Sequence, residues 1–110
     1  MKYLLLAVGD ERPWAEAGPQ ERHALYAEWG RFEAMLAERR AHHGGFELAP
    51  SPTATTVRKH GGQVLITDGP YAETVEQISG YVVVEAASME EAVELAGQMP
   101  SDVHVREIAG

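Results

Sequence analysis

Residues 67–86 read TDGPYAETVEQISGYVVVEA, and this stretch decides how the rest of the chain can fold. A β-branched run at residues 64–67 stops at Asp68-Gly69-Pro70, and a second apolar run begins at Tyr81. Mostly polar residues lie between the two runs. Such a pattern predicts two strands joined through a dense polar corner, which is a common position for functional side chains.

The polar corner has the signals of a short helix. Thr74 followed by Gln77 fits a capping box, and Gly80 fits the position just after a helix end. We therefore expect residues 75–79 to form a single helical turn.

Asp68 and Glu73 are the candidate catalytic residues of this corner. The predicted turn would bring Glu73 and Glu76 near Asp68, and neighbouring carboxylates are one way to make a general acid or base. The alternative interpretation is structural: Asp68 caps the amide of Tyr71 in a turn, and the glutamates are solvated.

The remaining elements follow in order along the chain. Residues 3–8 form a continuous apolar strand, which predicts that both faces of the sheet are covered. A long helix is expected over residues 20–42, and the Gly-Gly pair 61–62 predicts a hairpin between residues 53–60 and 63–67. A second helix begins at a capping box formed by Ser88 and Glu91, with Met89, Ala92, Val93, Ala96 and Met99 on its inner face, and residues 103–108 form the last strand. The order is close to βαββαβ, an α+β fold with an antiparallel sheet.

Helix 20–42 carries an apolar stripe of Leu25, Trp29, Phe32 and Leu36 that is expected to face the sheet. His23 lies on the opposite side of the helical wheel. Trp14, in the preceding polar connection, either folds over the mouth of a pocket or packs into the core.

Residues 67–74, TDGPYAET, resemble the signature of the DGPF-domain proteins, a branch of the YCII-related family, with Tyr71 where the namesake Phe usually stands. Further similarities are found in residues 2–6, Trp14, Gly44-Gly45, residues 53–58 and Gly80-Tyr81. The resemblance implies one domain over residues 1–110 with a ferredoxin-like fold, paired through its sheets into a homodimer, a dimeric α+β barrel. YCII proteins are thought to use a His–Asp pair, for which His23 and Asp68 are the candidates, although the wheel places His23 on the wrong side.

Composition excludes several classes of protein. The net charge of −8 argues against nucleic-acid binding, and the absence of cysteine excludes thiol chemistry and disulfides. The apolar run at the start is too short for a signal peptide or a membrane span, so a cytoplasmic protein is expected. Adjacent His42 and His43 lack the spacing of a metal site, and no cofactor is expected.

Three functional hypotheses remain open. The first is a small-molecule enzyme or ligand-binding protein that uses acid/base chemistry in a pocket between sheet and helices. Its candidate ligand contacts are Arg58, Gly69, Pro70 and Tyr71, and Arg58 would attract an anionic or aromatic ligand unless it simply pairs with Glu73 or Asp68. The second is a regulatory module that binds an extracytoplasmic-function sigma factor, since genes for DGPF-type proteins often lie beside those of such factors. In the third, the corner is only structural.

Overall fold

Six strands and three helices make up the computed structural model, which describes residues 1–110. In chain order they are β1 (Lys2–Asp10), α1 (Arg12–Glu16), α2 (Pro19–Glu38), β2 (His42–Glu47), β3 (Thr55–His60), β4 (Gln63–Asp68), β5 (Glu76–Glu85), α3 (Met89–Ala96) and β6 (Asp102–Glu107). A 3-10 turn over Ser51–Thr53 lies between β2 and β3.

The main sheet is antiparallel and has four strands in the order β2-β5-β1-β6. β1 is central, and Leu5 lies opposite Val82 of β5 on one side and Val105 of β6 on the other. The helices that connect these strands complete an α+β fold of the ferredoxin-like type, which confirms the predicted fold class.

Side chains alternate across β1 in a way that separates the two faces of the sheet. Tyr3, Leu5 and Ala7 are buried in the same core as Phe32 and Leu36 of α2. Their neighbours Leu4, Leu6 and Val8 point to the other face, where they are only half-buried. In the single chain, the helices therefore cover one face, whereas the apolar run predicts that both faces are covered.

Helix α2 is shorter than predicted. It starts as expected after Gly18, but it ends at Glu38 because Arg40 takes a left-handed conformation with φ of 56°. The Arg40 N–H donates to Ala37 O at 3.0 Å and the Ala41 N–H to Leu36 O at 2.9 Å, which is the Schellman pattern. The chain reverses there, so the following residues form an additional strand, β2, on the edge of the sheet.

The predicted helical turn at residues 75–79 is wrong. Residues from Glu76 onward belong to β5, and Gly80 lies opposite Ala7 of β1 instead of ending a helix. The Gln77 side chain donates to the carbonyls of Ala72 and Thr74, both at 3.0 Å. The residues that resemble a capping box thus stabilise an irregular loop.

The predicted hairpin exists, but it lies outside the main sheet. β3 and β4 pair only with each other, and one face of this hairpin arm carries the exposed side chains of Val57, Val64 and Ile66. The molecule measures 47 × 41 × 18 Å. Its radius of gyration of 15.9 Å exceeds the roughly 13 Å expected for a compact chain of this length, consistent with a projecting arm.

Helix α3 begins at the predicted cap, where the Glu91 N–H donates to the Ser88 hydroxyl at 3.2 Å. Its inner face differs in part from the prediction. Leu95 is fully buried, whereas Met89 and Val93 are exposed. Ala92, Ala96 and Met99 are buried as expected.

Candidate functional site

A cleft of about 970 Å³ opens between helices α1 and α2, the edge strand β2 and its neighbour β5, and the loop that follows β2. Part of the sheet side of the cleft is built from small residues, namely Ala7, Gly45, Ser79 and Gly80. Because these residues project little or no side chain, they leave space between the sheet and the N-terminal half of α2. The volume is within the range of small-molecule sites.

The wall formed by α2 follows from helix periodicity. Arg22, Tyr26, Trp29 and Glu33 recur at spacings of four, three and four, so they lie on one face, and all four line the cleft. The apolar stripe divides along the helix. Phe32 and Leu36 are buried in the core, whereas Leu25 and Trp29 are half-exposed and line the cleft.

Aromatic side chains supply much of the lining. The rings of Trp14 and Tyr26 meet edge to face at a centroid distance of 5.3 Å. On the β2 side, Phe46 and Tyr81 lie 6.2 Å apart, and Phe46 is 73% exposed. Flat aromatic walls favour planar ligands. Trp14, which lines the cleft and is absent from the buried core, thus follows the pocket-mouth alternative.

Tyr26 and Glu47 join α2 to β2 through a bifurcated hydrogen bond. The Tyr26 hydroxyl donates to the two carboxylate oxygens of Glu47 at 3.1 and 3.0 Å. This hydrogen bond to Glu47, together with partial burial and the carboxylate charge, raises the pKa of Tyr26 above its usual value. A phenol held on a carboxylate is equipped to donate a hydrogen bond while the carboxylate accepts a proton.

Arg22 lies where α1 meets α2. Its Nη2 donates to the carbonyl of Trp14 at 3.0 Å, and its guanidinium carbon lies 4.9 Å from the centroid of the Trp14 ring. The Nε atom is buried and has no hydrogen-bond partner. Arg22 takes part in no ion pair.

The other charged groups at this end of the cleft are already bound. Glu11 accepts from the backbone N–H of Ser51 at 2.7 Å and from its hydroxyl at 2.6 Å, which fixes the loop after β2. Arg12 binds both oxygens of Asp10, and these hydrogen bonds lower the pKa of Asp10 to about 2.

The predicted site residues lie elsewhere. None of Asp68, Glu73, His23, Arg58, Gly69, Pro70 and Tyr71 lines this cleft. Asp68 ends β4 with an exposed side chain, and Glu73 and His23 are exposed as well. The exposure of His23 agrees with its position on the helical wheel. The catalytic role of Asp68 therefore stays a prediction, and its side chain forms no part of this cleft.

The loop Asp68-Gly69-Pro70-Tyr71 is held by strand β3, whose side chains bind backbone carbonyls of the loop. Arg58 Nη2 donates to the carbonyl of Tyr71 at 2.8 Å, so it does not pair with Glu73 or Asp68. The Gly69 N–H donates to Ala54 O at 2.7 Å, and the Thr56 hydroxyl donates to Gly69 O at 2.7 Å. Gly69 has φ of 107°, a conformation that favours glycine. These contacts hold the loop that follows β4 against the hairpin arm.

Sequence reasoning missed Arg22, Tyr26 and Glu47. A usable signal was present on α2, where Arg22, Tyr26 and Trp29 recur at helical spacing beside the apolar stripe. Glu47 had no such signal, because the strand that carries it was not predicted.

No group of three or more His, Asp or Glu side chains is placed to hold a metal ion. No helix is long and apolar enough to cross a membrane.

Comparison with known proteins agrees with the fold. The family model of the YCII-related domain matches residues 1–102, which is nearly the whole chain. The curated proteins contain no match.

Proposed function

The chain belongs to the YCII-related family, and on that basis we propose that it binds a small organic molecule in the cleft and exchanges a proton with it through Tyr26 and Glu47. The observation that carries the proposal is the Tyr26–Glu47 bridge across a cleft lined by aromatic side chains. Glu47 is the base, and the Tyr26 hydroxyl stabilises the oxygen on which negative charge develops.

The division of roles between the two side chains follows from their chemistry. A phenol with a raised pKa is a poor proton source, so Tyr26 serves as a hydrogen-bond donor. Both carboxylate oxygens of Glu47 accept from the Tyr26 hydroxyl, so Glu47 acts as the acceptor of the pair and takes the proton from a weakly acidic ligand. A ligand oxygen that enters the cleft competes with Glu47 for the Tyr26 hydroxyl and frees the carboxylate.

The two tryptophans make binding directly measurable. The chain has two tryptophans, and both line the cleft, so intrinsic fluorescence reports its occupancy. We expect a saturable change with members of a panel of small aromatic and dicarboxylic acids. Ala49→Phe, which fills the cleft wall, should abolish the change, and Ala109→Phe at the exposed chain end is the matched control.

A second measurement tests the proton transfer. Hydrogen–deuterium exchange at an acidic position of a bound panel member, followed by NMR in deuterium oxide, should be lost in Glu47→Gln. Binding without exchange would show that the protein binds the ligand but transfers no proton. If no panel member binds, the cleft is not a small-molecule site, and the sigma-factor interpretation gains ground.

The open face of the sheet supports a homodimer. Leu4, Leu6 and Val83 lie on the face that no helix covers, and a second copy of the same chain would bury them. Light scattering at micromolar concentration should give twice the chain mass of 12.0 kDa. A monomer at that concentration would contradict this part of the proposal.

A further inference from the structure

We propose that the ligand of the cleft is a planar aromatic monocarboxylate and that Arg22 binds its carboxylate. The inference rests on the proposed function of the cleft and goes beyond it by naming the ligand class and the residue that selects it. Its basis is the guanidinium of Arg22, a cleft-lining cation that takes part in no ion pair and whose buried Nε–H has no acceptor in the protein.

Among the three guanidinium nitrogens of Arg22, only Nη2 has an acceptor in the protein, so the cation lacks both an anionic partner and further acceptors. Leaving a buried N–H of a charged group without a partner is unfavourable, because its bond to water is lost and nothing replaces it. A carboxylate supplies both the acceptor and the opposite charge, and guanidinium binds it in a planar, often bidentate geometry. Within the protein, the Arg22 cation has no anionic partner.

The Arg22 side chain is already held in place. Its Nη2 donates to the Trp14 carbonyl, and its guanidinium carbon lies 4.9 Å from the centroid of the Trp14 ring. A ligand therefore does not have to order this side chain, which favours binding. The aromatic rings of Trp14 and Tyr26 lie beside it, so a carboxylate attached directly to a flat ring fits the arrangement.

The charge of the cleft favours a single negative charge on the ligand. Arg12, the other arginine of the lining, is bound to Asp10, so Arg22 is the cleft-lining arginine that has no carboxylate partner. Glu11, Glu33 and Glu47 also line the cleft and would repel a dianion. A monocarboxylate is therefore preferred over a phosphate monoester.

The test compares three probes with the same ring system: 2-naphthoate, its neutral amide 2-naphthamide, and the dianionic 2-naphthyl phosphate. Isothermal titration calorimetry on the full chain should show naphthoate binding about 10-fold or more tighter than the amide, the usual effect of a hydrogen bond to a charged group. Arg22→Met should remove this preference and retain amide binding. Arg12→Met, which removes an arginine that is already paired, should keep the preference.

The outcomes separate the two levels of the proposal. Equal affinity for naphthoate and the amide in the unmodified protein would overturn the role of Arg22 while leaving the cleft as a binding site. Tighter binding of the phosphate would overturn the monocarboxylate class. If none of the probes binds, both this inference and the proposed function fail. Because Arg22→Met also loses the contact with Trp14, retained amide binding shows that the variant is folded and its cleft intact.

Discussion

Two leucines on the same stripe of α2 should differ greatly in their contribution to stability. Leu36 is 0% exposed and belongs to the core, whereas Leu25 is half-exposed and faces the cleft. Replacing Leu36 by alanine leaves a closed cavity, with an expected loss of about 2–5 kcal/mol in the free energy of unfolding. Replacing Leu25 removes a side chain that already borders open space, so the loss should be about 1 kcal/mol.

The comparison is well controlled because both changes are Leu→Ala in one helix. The small gain in helix propensity is the same at both positions and cancels in the difference. Urea unfolding followed by far-ultraviolet circular dichroism gives both free energies. If Leu36→Ala is too unstable to measure, Leu→Val at the two positions tests the same contrast. Equal losses would mean that α2 packs on the sheet along its whole length and that the cleft is closed in solution.

Three further predictions concern single side chains. Because Glu47 raises the pKa of Tyr26, the stability that this pair adds is present below about pH 10 and is lost as the pH rises through the pKa of Tyr26 in the folded protein. Alkaline titration by ultraviolet absorbance should show a lower pKa of Tyr26 in Glu47→Gln, and an unchanged titration curve would contradict the hydrogen bond between the two side chains. Arg12 lowers the pKa of the Asp10 carboxyl from 3.8 to about 2, so the stability that this pair adds is fully present above pH 3.8 and is lost as the pH falls through about 2. NMR should show the pKa of Asp10 returning toward 3.8 in Arg12→Gln, and a pKa that stays near 2 would be evidence against Arg12 as the cause. Arg40→Gly should stabilise the chain by about 0.5–1 kcal/mol because glycine adopts the left-handed conformation without penalty; a lower denaturation midpoint would show that this position is not strained.

The parts of the fold that could be predicted are those with a strong side-chain pattern. Strand β1, the start of α2 and the cap of α3 each follow from apolar periodicity or a local hydrogen-bonding signal. Strand β2 has no such signal, since HHGGFE neither alternates nor contains a run of β-branched residues. It is a strand because its backbone pairs with β5. This pairing requires glycine at position 45, since a Cβ there would lie 2.3 Å from the carbonyl oxygen of Tyr81. Such a contact between distant segments leaves little trace in a single sequence.

The candidate site was harder to predict than the fold. The cleft exists because small residues of three different strands lie opposite the first half of α2, and only the tertiary structure brings them together. The DGP motif makes Asp68 a candidate, but in the structure the neighbours of Asp68 hold the loop after β4 against strand β3 of the hairpin arm. A conspicuous local motif can therefore mark a connection in the fold while the cavity lies elsewhere.

The central position of β1 also has a consequence for synthesis of the protein. Both neighbours of this strand, β5 and β6, come from residues 76–107, so its backbone stays unpaired until those residues have been synthesised and can fold. Sheets built from such distant pairs form slowly, and an exposed apolar strand is prone to aggregation in the meantime. The hairpin arm, whose pairs are all local, can form long before the sheet to which it is attached.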